Sequence, residues 1–151
     1  MRKSILYSIV IVLFVLSFSA CPMNETPPYV VSVPQCLVGS KESYYQFAGI
    51  EFEFLNASDK TISAIHISCR VYDAETERNP FIGSNQINVS FDENIEAGVK
   101  KKLIITLDPY IYNAPEEPYL IDFFYIAKIE YADGSKWEDA YGTYHVSNRD
   151  E

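Results

Sequence analysis

Few groups in this chain of 151 residues could carry chemistry: Cys21, Cys36 and Cys69, His66 and His145, and 21 acids. A metal site needs several donors converging on one point, and neither histidine stands at ligand spacing from the other or from a cysteine. A zinc set of Cys36, Cys69 and His66 fails on geometry. His66 and Cys69 are three residues apart in an alternating stretch, which sends them to opposite faces of a strand. The acids Asp73, Glu75 and Glu77, and again Asp92, Glu93 and Glu96, gather in loops without the spaced Asp/Asn-Gly pattern that wraps calcium. They are expected to be solvated. No Gly-x-Ser-x-Gly elbow occurs, and neither histidine has an evident serine or cysteine neighbour with an orienting acid. No catalytic residue, metal or cofactor is therefore expected.

The chemistry that remains is at the N-terminus. Arg2 and Lys3 precede an apolar run from Ile5 to Phe18, 14 residues, which closes on Ser19-Ala20 before Cys21. A spanning helix needs ~20 apolar residues, so the run predicts an export signal over residues 1–20 rather than a permanent span. Phe18-Ser19-Ala20-Cys21 resembles the lipobox of bacterial lipoproteins, with Phe18 where an aliphatic residue is usual. That resemblance implies acylation of the Cys21 thiol and cleavage before it, giving a chain held to a membrane by lipid and facing the periplasm or the exterior. Simple secretion and an uncleaved tether are the alternatives. With Cys21 acylated, Cys36 and Cys69 are left as an even pair in an oxidising compartment. They would form a disulfide, closing a loop of ~33 residues, or stay as buried thiols, since Cys69 lies among alternating apolar residues.

Residues 21–151 carry ten basic and 21 acidic side chains, a formal charge of −11. Such a surface repels phosphate backbones and anionic headgroups, so nucleic acid is not an expected partner, and membrane attachment must come from lipid. Residues 21–28, with Pro22, Pro27 and Pro28, read as the lipidated cysteine and a stiff tether. Residues 29–147 make one domain, and residues 148–151 a polar tail.

Within the domain the period is two. Tyr29 to Val38, broken by Pro34, suits an edge strand or a strand with a bulge. Ile50, Phe52 and Phe54 alternate with Glu51 and Glu53, and Ile65, Ile67, Cys69 and Val71 alternate with His66, Ser68, Arg70 and Tyr72. The polar turn Asn56 to Lys60 between them makes a hairpin or a corner between sheets. Further strands are expected at Ile87 to Phe91, Lys100 to Leu107 and Leu120 to Tyr131, the last with its first half buried on both faces. A partner strand follows the Asp133-Gly134 turn, from Trp137 to Val146. The expected fold is all-β: an antiparallel sandwich of seven or eight strands, with a closed barrel as the alternative. Helix is confined to the signal and one turn near Pro109 to Asn113.

Four short motifs carry a further resemblance. Phe54-Leu55-Asn56, Lys60-Thr61-Ile62-Ser63-Ala64-Ile65, Ala97-Gly98 and Tyr131-Ala132-Asp133-Gly134-Ser135-Lys136-Trp137 are similar to the corners of immunoglobulin-like modules found in bacterial lipoproteins. The resemblance implies an immunoglobulin-like fold in the cell envelope and brings no catalytic residue with it. What is left for recognition is aromatic. Tyr110, Tyr112, Tyr141 and Tyr144 lie near turns, where a rigid ring can bury area while its hydroxyl still bonds. They fit a module that binds a protein or envelope component or, alternatively, a carbohydrate or small ligand stacked on rings. Trp137 is expected in the core, and Lys100-Lys101-Lys102 is expected to discourage edge pairing.

Overall fold

The computed structural model describes residues 26–40 and 44–149. The signal, Cys21 and most of the tether lie outside the described residues. Eight strands form two antiparallel four-stranded sheets: β1 (Tyr29–Val31), β2 (Gln35–Val38), β3 (Ala48–Asn56) and β6 (Lys100–Thr106) in one, β5 (Gln86–Phe91), β4 (Ile62–Tyr72), β7 (Leu120–Tyr131) and β8 (Lys136–Glu138) in the other. Among the described residues there is no helix, and none therefore long and apolar enough to cross a membrane. The Pro109 segment is a bare turn, closed by Tyr110 N–H donating to Leu107 O at 2.9 Å.

β1 and β2 are one edge interrupted. Val31 faces Phe54 and Gln35 faces Glu51, so four steps on this edge match three on β3. Pro34, which has no N–H to give the ladder, sits in that bulge. The polar turn after β3 is a corner rather than a hairpin, because β4 joins the other sheet.

The inward residues of both sheets share one core, consistent with a sandwich. Phe52 of β3 meets Phe124 of β7 with ring centroids 4.9 Å apart. Phe52, Phe54 and Phe124 are wholly buried, each contributing about 1.5–3 kcal/mol of transfer free energy. Tyr29 packs edge-on against Trp137 at 5.4 Å, closing the side where β1 and β8 lie.

Two expectations need correction. The first half of β7 is covered on one face only, and Phe123 and Tyr125 on the other face are half-buried. Pairing after the Asp133-Gly134 turn stops at Glu138 and resumes only where Val146 bridges Phe124. The cause is Asp139, whose N–H still donates to Ala127 O at 3.0 Å but whose buried carboxylate draws the following amides around itself and lifts residues 140–145 off the sheet. Of the two alternatives left open for the cysteines, the structure has the buried free thiols, with Cys36 on β2 of one sheet and Cys69 on β4 of the other.

Candidate functional site

The strand connections gather at two poles, and the poles differ in kind. At the N-terminal pole the chain enters through Pro28, whose carbonyl accepts from Ala57 N–H. Here Asn56, fully buried, donates from Nδ2 to Lys60 O at 2.8 Å and Ile95 O at 2.9 Å, while its Oδ1 accepts from Ser58 N and Oγ. Its backbone carbonyl takes Gly98 N–H. Lys60 Nζ reaches Asp133 at 2.8 Å and Ser135 at 2.8 Å. Asp133 also accepts two bonds from Ser135, and with the lysine ammonium these hold its carboxyl well below the usual range. Gly134 at φ +83° completes the turn, a conformation that side-chain-bearing residues resist. The four short motifs converge on this one clasp. They are structural.

The opposite pole is built from three loops. Gln46 and Phe47, just before β3, are pinned by Asp108, which accepts from Gln46 N at 2.6 Å and Phe47 N at 2.9 Å. Burial works against that charge, but the amides outweigh it and the carboxyl sits lower than usual. Loops 73–85 and 107–119 meet through Phe81, whose ring lies 5.6 Å from Tyr110 and 5.9 Å from Tyr119. This pole also carries much of the exposed apolar surface: Ile82 is 93% exposed, Tyr112 82% and Tyr44 59%. Beside it, Asp73, Glu75, Glu116 and Glu117 line a recess of about 220 Å³ with Tyr119. Among the described residues, no group of three or more acids, cysteines or histidines is arranged to hold a metal.

The four predicted tyrosines do not form one site. Tyr110 and Tyr112 stand at the three-loop pole. Tyr141 and Tyr144 lie on the flank, in the segment wrapped around Asp139. The Asp139 carboxylate is 5% exposed and takes amides from Tyr141, Thr143 and Tyr144; they outweigh the burial that opposes its charge and leave its carboxyl below the usual range. Tyr144 packs on Trp137 at 6.1 Å and so belongs to the edge of the core, whereas Tyr141 is 87% exposed. On the same flank Phe123 sits at φ +50°, unusual for a bulky residue, where the β4–β7 register shifts. Its ring lies on His145 at 4.5 Å and beneath Arg70. A Cβ on Gly142 would come within 2.8 Å of that ring, which is why a glycine stands there.

Ile82 and Phe81 of the three-loop pole were not singled out from the sequence. They fall in a polar loop without periodicity, and only the return of the 107–119 loop gives them company. Sequence also hid a trio on the outer face of the second sheet. Ser90 Oγ lies 2.7 Å from His66 Nδ1, and His66 Nε2 lies 3.4 Å from Glu130 Oε1, off the line of a hydrogen bond. Ser90 and His66 are directly opposite on β5 and β4. Glu130 is shared with Lys128, the main reason its carboxyl is lowered. The trio lies across a strand face, and such cross-strand polar pairing stabilises a sheet.

The two cysteines are ordinary core residues. Burial pushes the Cys36 thiol up to about 11 and the Cys69 thiol up to about 12, so neither is a thiolate at neutral pH. The lysine run is paired with acids: Lys100 to Glu53 at 3.0 Å, Lys101 to Glu93, and Lys102 to Glu51 at 2.6 Å.

No family model, no curated protein and no solved structure matches this chain.

Proposed function

We propose that this is an envelope protein anchored by lipid on Cys21, with a non-catalytic, immunoglobulin-like domain that binds another protein or envelope component through its three-loop pole. The observation that carries the proposal is polarity along the strand axis. Thr26 to Pro28 enter at one end, and Ile82, Tyr44, Tyr110 and Tyr112 stand at the other. A short proline-bearing tether would hold the Asn56 clasp toward the membrane and present the aromatic pole away from it. Exposed rings of this kind, grouped at one end, favour an interface over a solvated surface. The strand orders β1/β2-β3-β6 and β5-β4-β7-β8, with the chain crossing between sheets after β3, support the immunoglobulin-like assignment.

The carbohydrate alternative has one feature in its favour, an open hollow of about 430 Å³ beside Tyr44, Tyr45 and Asp108. The Asp108 oxygens are already engaged by backbone amides, which leaves them poorly placed to take sugar hydroxyls. Protein recognition therefore has the better support.

Intact mass spectrometry of natively expressed protein tests the anchor. The expected mass is that of residues 21–151 plus acyl groups, with both thiols free. An unmodified Cys21, or retention of residues 1–20, would refute lipid anchoring.

A further inference from the structure

The three-loop pole joins an apolar patch to negative charge that nothing in the chain answers. Loops 73–85 and 107–119 carry six acids, Asp73, Glu75, Glu77, Asp108, Glu116 and Glu117, against one base, Arg78. Two of the six are engaged: Glu77 with Arg149, and Asp108 with the amides of Gln46 and Phe47. Glu75, Glu116 and Glu117 are exposed and have no ion-pair partner among the described residues. Asp73 accepts from the Thr76 amide and hydroxyl, both at 2.8 Å, which hold its carboxyl below the usual range and leave it charged at neutral pH.

Asp73, Glu75, Glu116 and Glu117 face the recess of about 220 Å³ that Pro115 and Tyr119 complete. A cleft lined by one sign of charge concentrates its counter-ion. Pockets for separate small molecules run to about 300–1,000 Å³, so this one is sized for a side chain. Tyr119 is 8% exposed, and its hydroxyl makes no hydrogen bond among the described residues. A phenol buried to that degree ordinarily has a partner. Burial, the Cys36 thiol and the Asp73 carboxylate push that phenol up, which places its hydroxyl near Asp73. Its oxygen is free to accept from a donor brought into the recess.

Tyr119 also links the recess to the apolar patch. The Phe81 ring lies 5.9 Å from Tyr119 and 5.6 Å from Tyr110, and the next residue, Ile82, is exposed.

We propose that the partner of this pole is a basic protein segment, in which one arginine enters the Tyr119 recess while an adjacent apolar side chain rests on Ile82 and Tyr110. A guanidinium suits the recess better than an ammonium, because its planar fork of five donors can reach several carboxylates. The cation subsite rests on the reading of this pole as a binding surface and adds the charge of what binds there. A second copy of this chain is a poorer occupant on charge alone. Two such poles in contact would set acids against acids. Every described lysine except Lys136 is already paired with an acid of its own chain. Of the described arginines, Arg149 is paired with Glu77, Arg70 lies over Phe123, and Arg78 belongs to the acidic pole itself.

A residue-resolved NMR titration of the full chain in detergent tests the subsite. One probe is the capped peptide Gly-Leu-Arg-Leu-Gly; the other carries citrulline, which keeps the shape of arginine without its charge. Saturable shifts at Glu75, Glu117 and Tyr119 are expected with the arginine peptide, and an affinity about tenfold lower with the citrulline peptide. Glu116→Gln combined with Glu117→Gln, at two exposed positions outside the core, should bring the arginine peptide down to the citrulline level. Equal affinities, with shifts at Ile82 and Tyr110, would overturn the cation subsite and leave the pole a binding surface. No saturable shift on the pole from either peptide would overturn both. Self-association of the wild-type chain that the double substitution dissolves would assign the recess to a second copy and so overturn the proposal.

Discussion

The two poles of this domain use similar residues for opposite ends. At the N-terminal pole, loop polar groups turn inward and satisfy one another: one buried asparagine ties two connections together. At the three-loop pole, Asp108 and the Phe81 contacts position the loops, and the large side chains they carry are left in solvent. The contrast separates conserving a shape from presenting a surface. A buried, satisfied side chain answers for stability, whereas an exposed ring on a pinned loop adds little to folding and is open to a partner.

That contrast can be broken at the clasp first. Asn56→Ala leaves the Lys60 and Ile95 carbonyls without their donor in a buried setting, which should cost about 3 kcal/mol. Urea denaturation checks it, and a loss below ~1 kcal/mol would mean the clasp is not what holds that pole. Next comes the flank, where Asp139→Ala would strand the amides of Tyr141 and Tyr144 at a cost of about 2 kcal/mol.

The same carboxylate has a pH signature. Its folded value lies below its unfolded one, so its stabilisation is complete above the unfolded value and lost as pH falls through the lower folded value. Wild-type stability should therefore drop below about pH 4, and Asp139→Asn should flatten part of that drop. Unfolding midpoints across an acid series measure it. The smallest effect belongs to the aromatic pole. Ile82→Ser with Tyr112→Ala should change stability by less than ~0.5 kcal/mol, although it removes two large exposed side chains.

Much of the fold was legible because alternation is a local signal. Ile50 to Phe54 and Ile65 to Val71 announce their buried faces, and Asp133-Gly134 announces its turn. Beyond the turn the period misleads. Residues 140–145 look like strand, but a carboxylate that collects amides outcompetes ladder pairing, and nothing in the spacing of Asp139 reveals that it will be buried. The site was legible only in part. Tyr110 and Tyr112 could be picked out as rings near turns, yet grouping them with Ile82 and Phe81 rather than Tyr141 and Tyr144 depends on which loops share an end. So does the Ser90–His66–Glu130 row, assembled by register from three strands far apart in sequence.

Site-specific photo-crosslinking in cells tests the division of labour most directly. A photoreactive phenylalanine analogue would replace Tyr112 at the three-loop pole in one strain and Asp59 at the N-terminal pole in another. A discrete adduct from position 112, lost when Ile82→Ser is added, and none from position 59 is the result expected. Adducts from position 59 alone, or the same adducts from both positions, would contradict a binding pole that faces away from the tether.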